Sequence, residues 1–369
     1  MKAARCRSIL LGSSVFAPPV TTPSSELDVL ASVHDDALSD GTHSGLQVWL
    51  EGDLVSAAAL RRLACISFLG LLDLQPDADQ SSSRLDHSLA VAQLGCETAK
   101  ALNLSRLDGA LLVAACLLHD VGHYPLSHSA EAAFRTLTGS DHHGRARAIL
   151  IGDQSAAGIP PLGGALRALG LDPASVWQVI AGGGERADGL DRLLTAPINL
   201  DTLDGIRRTA RAFGRSAPDL EQPFCLVEGR LALRPDAIHA CDAFWELKDT
   251  VYKQIIERPS NILAEQALSE RLLQIDSSQL PPFSDLDDEW LHQLLGVTAP
   301  PGGTEFEIVE DDRADAIARR TLKRYWVDSS VEPGPLGLPV KLWIHRYRHE
   351  RRPGYLVPRR HGPSSAQVP

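Results

Sequence analysis

The dipeptide His119-Asp120 is the strongest chemical signal in this sequence. It ends an apolar run from Ala110 to Leu118, and a helix that has no polar face is typically buried on all sides. An ionisable pair at the end of a buried helix is unfavourable by several kcal/mol unless an opposite charge or a metal ion compensates it. A buried ion pair or a helix cap would also explain the dipeptide, so His119-Asp120 alone leaves metal binding open.

Two other stretches supply side chains that could complete a metal site. His87 follows an S-x-x-D pattern at residues 83–86, which predicts the capped start of another helix. Asp201 and Asp204 are three residues apart in NLDTLDG, so they share one face of a third helix. The candidate ligands are two imidazoles, from His87 and His119, and two carboxylates, from Asp120 and from Asp201 or Asp204. This set suits one octahedral Mn, Mg, Fe, Co or Ni ion better than a tetrahedral structural zinc.

Histidines are concentrated in one part of the chain. Six of the 13 histidines lie between residues 87 and 143. Histidine is the side chain that most often ligates metals and transfers protons near neutral pH, so we expect the chemistry in this region. The other HD dipeptide, His34-Asp35, lies in the polar segment ASVHDDALSD and is interpreted as an exposed turn.

Four stretches together resemble a known family. They are SSSRLDHSLAVAQL, LLHDVGHYPLSHSAE, DHH and NLDTLDG, and they are similar to the H…HD…D pattern of the HD phosphohydrolase superfamily. Within it they are most similar to the deoxynucleoside triphosphate triphosphohydrolase branch, which carries R-x-x-H-S, H-D-x-G-H-x-P-x-x-H and D-x-x-D segments. The resemblance covers about residues 45–275.

The resemblance implies a role for each matching residue. The implied metal ligands are His87, His119, Asp120 and Asp201. The implied catalytic and phosphate-facing residues are His123, His128, Arg84 and His143, with His142 as the second choice to His143. Tyr252 would contact the sugar or the phosphates. Other interpretations stay open: Arg84 could pair only with Asp86 or solvent, His142 and His143 could be exposed loop residues, and Tyr252 could be a packing residue.

The implied activity is hydrolysis of a phosphate ester or anhydride, and the implied partner is a small phosphorylated substrate such as a nucleotide. A metal lowers the pKa of its bound water, and a positioned histidine can protonate the departing oxygen. Two alternatives remain. One is a non-catalytic nucleotide-sensing module. The other is a di-iron oxygenase of the HD type, in which His123 with His142 or His143 would hold a second metal.

The sequence departs from the branch at the positions that hold the sugar and the triphosphate. Gly205 stands where the branch has tyrosine, Thr209 where it has aspartate, Phe244 where it has arginine, and Thr202 where it has a basic residue. These changes put the substrate in doubt and leave the metal site intact. Candidate replacements for the lost contacts are Lys248, foremost, and Lys253, Arg207 or Arg208. We therefore expect poor activity on ordinary deoxynucleoside triphosphates.

The elements that must position these residues are mostly helical. Segments FCLV and RLAL, separated by Glu228-Gly229, predict a β-hairpin. Pro235 is expected to start a long helix through VYKQIIE, and residues 261–275 another. The expected fold class is all-α: an HD-domain helical bundle with a small β-hairpin and a C-terminal α+β segment. The predicted divisions are a flexible extension over residues 1–30, the HD phosphohydrolase domain over 31–280 and a C-terminal segment over 281–369.

Composition limits the function classes. The net charge of −11 argues against coating of nucleic acid, because phosphate backbones attract basic surfaces. The sequence has no apolar run of the length that a membrane span needs. The six cysteines form no CxxC pair, which favours a reducing, cytoplasmic setting. The N-terminus faintly resembles a signal peptide, but Pro18-Pro19 follow directly where cleavage would fall, so we interpret it as an extension.

The last basic stretch, KLWIHRYRHERRPGYLVPRR, contains seven Lys or Arg residues and one Glu. It could bind phosphate or nucleic acid. We favour a terminal strand with a solvated charged face, or a contact between subunits, because the acidic body of the protein could accept it. A homo-oligomer is the expected assembly.

Overall fold

The structure is a computed structural model, and it describes residues 54, 57–79, 81–152, 158–182, 188–295, 306–310 and 316–358. The predicted extension over residues 1–30 and the turn at His34-Asp35 lie outside the described residues. Within them the chain folds into twelve helices with two small antiparallel sheets. The predicted fold class is thereby confirmed, whereas the division into domains stays a prediction.

The helices are α1 (Ala58–Leu63), α2 (Arg84–Ala101), α3 (Arg106–Leu118), α4 (His128–Thr138), α5 (His142–Ile151), α6 (Gly163–Ala168), α7 (Pro173–Ala181), α8 (Leu200–Ala212), α9 (Ile238–Val251), α10 (Pro259–Leu272), α11 (Asp288–Leu295) and α12 (Val340–Arg346). The strands are β1 (Phe224–Val227), β2 (Arg230–Leu233), β3 (Phe306–Val309), β4 (Ala318–Val327), β5 (Leu338–Pro339) and β6 (Tyr347–Pro358).

The strands form two three-stranded sheets. One has the order β1-β2-β5 and contains the predicted hairpin, in which Phe224 pairs with Leu233. The other has the order β3-β6-β4, and its long β4–β6 pair places Tyr325 opposite His349 and Lys323 opposite Arg351. The basic C-terminal stretch therefore forms α12 and β6. The strand β6 agrees with the favoured interpretation of this stretch as a terminal strand.

Local capping fixes where the central helices begin. Ser83 accepts a hydrogen bond from the backbone N–H of Asp86, and the Asp86 carboxylate accepts from the Ser83 N–H, so α2 starts on a complete capping box. The same kind of cap starts α3 at Ser105, α5 at Asp141 and α7 at Asp172. Helix α3 then packs against α2, and its last nine residues, 110–118, are buried except for Leu111. His119 and Asp120 consequently emerge inside the molecule.

Helix α9 does not run on regularly as predicted. It ends at Val251 and continues as one π-helical turn over Tyr252–Ile256. The Asn261 side chain accompanies this turn by donating to the Ile256 carbonyl at 2.9 Å. Single π turns inside helices occur frequently at functional sites.

The segment after α3 turns sharply and is fixed from two sides. Arg62, which is buried, donates to the carbonyl of His123 at 2.6 Å and to that of Phe283 at 2.8 Å. Asp288 accepts hydrogen bonds from the backbone N–H groups of Leu126 and Ser67 at 2.6 and 2.8 Å. These contacts hold the short connection that carries the histidine-rich segment into α4.

In the part of the chain that the structure describes, no helix combines the length and hydropathy needed to cross a bilayer. The five described cysteines are all free thiols. The cytoplasmic setting stays a prediction.

Gly122 controls the approach of α5 to the end of α3. A Cβ atom at this position would lie 2.0 Å from the carbonyl oxygen of His142 and 2.5 Å from the amide nitrogen of Ala146. The change Gly122→Ala should therefore push α5 away and lower the free energy of unfolding by about 1–3 kcal/mol. Urea titration measures this loss. Gly164→Ala is the control, because its Cβ would meet nothing within 4 Å. Equal stabilities of the two variants would contradict the close approach at Gly122.

Asp73 predicts a pH-dependent stability. Its Oδ2 accepts from the Leu69 N–H at 3.2 Å, whereas its Oδ1 is buried with no hydrogen-bond partner among the described residues. Burial raises the pKa of Asp73 from 3.8 to about 7. A raised carboxyl pKa means that the fold loses stability as pH rises from about 4 through 7, by roughly 1 kcal/mol per pH unit.

The free energy of unfolding of Asp73→Asn is compared with that of the unaltered chain. From pH 4 to pH 8 the difference should change in favour of the variant. Thermal unfolding at both pH values measures the shift, and any constant cost of the amide cancels. The exposed Asp79→Asn variant should show no such shift. A flat difference for Asp73→Asn would show that the Asp73 carboxyl titrates normally.

Candidate metal centre and active site

Four side chains from three helices converge at the end of α3. The Nε2 atom of His87 lies 3.0 Å from Oδ1 of Asp201 and 3.3 Å from Nε2 of His119. His119 Nε2 lies 3.4 Å from an oxygen of Asp120 and 3.7 Å from Asp201 Oδ1. The structure therefore brings together all four residues predicted as metal ligands.

Both histidines of this quartet are held in the orientation that a metal ligand needs. The Nδ1 atom of His87 is 2.7 Å from Asp204 Oδ2, and the Nδ1 atom of His119 is 2.8 Å from the carbonyl oxygen of Cys116. An acceptor at Nδ1 keeps the proton on that nitrogen and leaves the Nε2 lone pair available. The two available Nε2 atoms face each other across the quartet.

The spacing of the four donor atoms fits one divalent cation. With metal–ligand bonds of about 2.1 Å, neighbouring ligands lie about 3.0 Å apart in an octahedral site and about 3.4 Å apart in a tetrahedral one. The separations from a histidine Nε2 atom to another quartet donor are 3.0 to 3.7 Å, close to this range, and donor atoms of His87, His119 and Asp120 all lie within 4.8 Å of one another. Two nitrogen and two carboxylate donors suit a cation of the Mn, Fe or Co type, although the donors do not fix its identity.

The charged groups of the quartet shift one another's pKa values. Burial opposes the charged form of His119, but the charges of Asp120 and Asp201 outweigh it and raise its pKa to about 9. Burial likewise opposes ionisation of Asp120, but His119, His123 and Arg84 hold its pKa well below the usual range. The carboxylates of the quartet thus favour a positive charge beside the imidazoles, which a bound cation would supply.

The Arg84 guanidinium is hydrogen-bonded to other groups of the protein. Its guanidinium donates to Asp120 Oδ2 at 2.8 Å, to Ser127 Oγ at 2.8 Å and to the Phe68 carbonyl at 3.0 Å. Its side chain is 5% exposed. This arrangement supports a role in positioning Asp120, and the predicted phosphate contact of Arg84 stays a prediction.

A second cluster adjoins the quartet. The ring of His123 stacks on that of His142 at 4.3 Å and lies edge-on to that of His128 at 4.8 Å. His123 is 1% exposed and has no hydrogen-bond partner on either ring nitrogen in the described structure, although its Nε2 lies 3.2 Å from Asp120 Oδ1. Burial, followed by the charge of Arg84, lowers its pKa well below 6.5. His123 is therefore a neutral imidazole.

Glu131 organises the other two histidines of the second cluster. It accepts at one oxygen from His128 Nδ1, at 3.0 Å, and at the other from His142 Nδ1. Burial alone would raise the pKa of Glu131, but these two contacts lower it well below its ordinary value. With both Nδ1 atoms held, the Nε2 atoms of His128 and His142 remain for a ligand or a proton transfer.

The structure prefers His142 to His143 at this position, the reverse of the predicted order. His143 is exposed and only packs its ring on that of His142, at 4.0 Å. The reason is geometric, because adjacent residues at the start of a helix point about 100° apart. Only one of them can face inwards, and Asp141 caps α5 so that His142 does.

Each cluster has one accessible side chain, and we call the surface at these two side chains the opening. His87, His119 and Asp120 are buried, whereas the side chain of Asp201 is 45% exposed and that of His128 is 63% exposed. A substrate would therefore reach the quartet at Asp201 and the second cluster at His128.

Lys248 and Tyr252 lie on the α9 side of this opening. Lys248 is largely buried, and burial lowers its pKa to about 7 while the charge of Asp201 acts to raise it. Its ammonium lies 4.6 Å from the Trp245 ring and 4.9 Å from the Tyr325 ring. Tyr252 packs on Tyr325 at 4.9 Å. The predicted substrate contacts of Lys248 and Tyr252 stay predictions.

The other candidate replacements are occupied. Arg207 donates to the Leu220 carbonyl, Arg208 pairs with Asp204, and Lys253 pairs with Asp249. Among these four cations, Lys248 alone makes neither a hydrogen bond nor an ion pair from its charged group within the described structure. At the position of the lost tyrosine, a Cβ on Gly205 would meet Phe68 at 3.5 Å and Asp201 at 4.0 Å. Gly205 therefore leaves space beside the quartet.

Sequence reasoning missed two residues that organise the site. Glu131 is one, and its signal was the i, i+3 spacing from His128, which places both on one helical face. Asp204 is the other: it was noted beside Asp201, but its hydrogen bond to His87 could not be foreseen from spacing. Arg208, one turn later, in turn binds Asp204 at 2.8 Å.

Comparison with known proteins agrees with this geometry. The family model described as HD domain matches residues 84–155, the segment that carries three of the four quartet residues. The uncharacterised protein YwfO of Bacillus subtilis is 27% identical over 231 residues, which cover 60% of this chain and 51% of YwfO. A deoxyguanosinetriphosphate triphosphohydrolase-like protein of Allorhizobium ampelinum is 34% identical over 103 residues, 26% of this chain and 24% of that protein.

This chain thus spans about half the length of YwfO and about a quarter of the second relative. A solved structure of a phosphohydrolase from Bacteroides thetaiotaomicron has a TM-score of 0.62 at 16% identity, covering 84% of this chain and 96% of that chain. A likeness at this identity shows a shared fold. The HD-domain model thus matches the segment over residues 84–155, and the solved phosphohydrolase shows that the fold is shared.

Proposed function

We propose that this protein is a metal-dependent phosphohydrolase that cleaves a phosphate ester or anhydride of a small phosphorylated molecule, with nucleotides as the favoured class. The observation that carries the proposal is the contact between the two clusters. The two histidines of the quartet lie 3.0 to 3.7 Å from the carboxylate oxygens of Asp120 and Asp201, and the neutral His123 lies 3.2 Å from the same Asp120. A phosphate bound there would meet both.

The quartet of His87, His119, Asp120 and Asp201 would hold the cation. When bound, a divalent cation neutralises phosphate charge and makes a water molecule acidic enough to serve as a nucleophile near neutral pH. Arg84 fixes the Asp120 carboxylate, and Asp204 fixes the His87 ring. These two partners keep the donor atoms in place, as supporting hydrogen bonds do in other metal sites.

The second cluster would bind the phosphate and supply a proton. Phosphoryl transfer depends mainly on alignment and on neutralisation of charge. The neutral His123 ring, stacked on His142, can donate its one N–H group to a phosphate oxygen, and His142 can do so from Nε2 in its protonated form. His128 is accessible, and the Glu131 carboxylate at its Nδ1 would stabilise the imidazolium form, in which the Nε2–H group would be the best-placed donor of a proton to the departing oxygen.

Two observations support nucleotides as the favoured class of substrate. The triphosphohydrolase-like relatives motivate it, and Lys248 and Tyr252 border the opening where a further phosphate or a sugar would extend. The loss of bulk at Gly205 argues against ordinary deoxynucleoside triphosphates as the best substrates.

Assaying the purified protein with Mn, Mg, Co and Fe in turn against a panel of phosphorylated metabolites tests the proposal. Absence of phosphate release from every member would refute it.

One observation favours a second candidate function. Ligand atoms of His123, His128 and His142 lie within 4.8 Å of one another, which is close enough to hold a second cation beside the first. With iron in both places the site would suit oxidation rather than hydrolysis. Two irons per chain and a visible absorption band would favour this candidate, whereas one metal per chain favours the hydrolase.

Removal of a quartet ligand should empty the metal centre. Asp201→Asn and His119→Ala should each reduce bound metal, measured by elemental analysis, to a small fraction of that in the unaltered chain, because each removes one of four donors. Turnover should be lost in parallel. Asp201 is half-exposed, so its variant should fold, which circular dichroism checks. Exposed His345→Ala is the control. A folded Asp201→Asn protein with full metal content would show that the ligand assignment is wrong.

Loss of the accessible histidine should slow turnover without releasing metal. His128→Ala should lower kcat by about 10²–10⁴-fold, the usual contribution of a positioned general acid, while the metal content stays constant. Steady-state kinetics and elemental analysis on the same preparation measure both. His345→Ala again serves as the control. An unchanged kcat in His128→Ala would exclude His128 as the proton donor.

A further inference from the structure

Four cations lie together on one side of the opening, at some remove from the two histidine clusters. Lys248 comes from α9, Lys323 from β4, and His349 and Arg351 from β6. We call these four residues the cationic wall. They belong to segments far apart in sequence, and the sheet register brings them together.

The register explains why the side chains share a face. Lys323 is directly opposite Arg351, and Tyr325 is directly opposite His349, in the antiparallel β4–β6 pair. Paired residues project to the same side, and residues two apart on a strand do so as well. The Tyr325 ring meets Lys248 at 4.9 Å and His349 at 6.1 Å, so this face of the sheet is turned towards α9.

Aromatic rings, rather than carboxylates, neighbour the wall. The ammonium of Lys323 lies 5.1 Å from the centre of the Tyr252 ring. In the described part of the chain no carboxylate lies within ion-pair distance of Lys248, Lys323 or Arg351. The two nearest acids are engaged elsewhere: Asp249 with Lys253 and the Tyr325 N–H, and Glu257 with Arg324 and the Lys323 N–H.

Lys323 and Arg351 are therefore like charges placed side by side, and their repulsion extends to Lys248 and His349 whenever these are protonated. Burial lowers the pKa of His349, and the charges of Lys248, Arg351 and Lys323 lower it further. Uncompensated like charges destabilise a fold, and a bound anion would relieve the repulsion. This is the electrostatic signature of an anion site.

The wall is continuous with the metal centre through Lys248. Asp201 attracts the Lys248 ammonium, and Lys323 repels it, so Lys248 lies within electrostatic range of both. The π turn over Tyr252–Ile256, which follows α9, carries the ring that Lys323 covers. An elongated anion could run from the histidine clusters past Lys248 to the sheet.

We propose that the cationic wall is a second anion subsite, which binds a phosphate of the substrate beyond the one that is hydrolysed. The proposal rests on the proposed function, since it assumes that the reacting phosphate lies at the histidine clusters. It narrows the substrate to molecules with at least two separated phosphate groups, such as a polyphosphate chain or a nucleotide phosphorylated at two positions. A monophosphate would leave the wall empty.

Inorganic tripolyphosphate and inorganic phosphate are the probes, titrated calorimetrically into the full-length chain. The test variant is Lys323→Gln with Arg351→Gln. The matched control is Arg348→Gln with Arg352→Gln, which removes the same charge from the opposite face of β6. Circular dichroism checks that both variants fold.

For tripolyphosphate, we expect the Kd to rise by about tenfold or more in the test variant, because two charge-assisted contacts are lost. In the control the Kd should change less than about twofold. The binding of inorganic phosphate, which is held at the histidines alone, should be equal in all three proteins.

Three results would overturn the subsite. They are absence of tripolyphosphate binding to the unaltered chain, an unchanged Kd in the test variant, and equal weakening in test variant and control. If instead no phosphorylated substrate is turned over but the Kd pattern holds, the hydrolase proposal fails and the anion subsite stands. If turnover is found and the Kd pattern is absent, only the subsite fails.

Discussion

The buried carboxylate of Asp120 is the group on which the geometry of the site depends. Its two oxygens lie between 2.8 and 3.7 Å from Arg84, His87, His119 and His123. A buried carboxylate destabilises the fold unless its charge is compensated. Here each compensating group also fixes a further part of the structure. The Arg84 guanidinium also binds Ser127 and the Phe68 carbonyl, so charge balance at Asp120 ties α2 to the turn after α3. The apolar packing of α3 fixes where that carboxylate emerges, and the polar site is built around it.

Much of this arrangement could be predicted from local signals. The caps at Ser83, Asp141 and Asp172 need only side chain and backbone a few residues apart, and the apolar run before His119 indicates burial without any partner being known. The ligand set followed from the residue types that divalent cations accept, together with a family resemblance. The hairpin at residues 224–233 was read correctly because its turn dipeptide is local as well.

The parts that could not be predicted from the sequence depend on contacts between distant segments. The inward orientation of His142 depends on how α5 approaches the bare backbone at Gly122, which sequence spacing does not encode. The engagement of Arg84 is similar, since its partners Phe68 and Ser127 are 16 and 43 residues away. The cationic wall is the extreme case, because Lys248 and Arg351 both come close to His349 only through the register of a sheet whose strands lie within residues 306–358.

The placement of these residues on the helices and strands suggests how the substrate is held. Three of the four positions where this chain differs from the pattern that it resembles, Thr202, Gly205 and Thr209, lie on α8, the helix that contributes Asp201, and the fourth, Phe244, lies on α9. In the described structure the cations without a carboxylate partner near the opening lie on α9, β4 and β6, across from α8. A substrate gripped from that side would use the C-terminal sheet as part of its site. In that arrangement the basic stretch at the C-terminus belongs to the catalytic unit, and the sheet register, rather than α8, would set which phosphates fit.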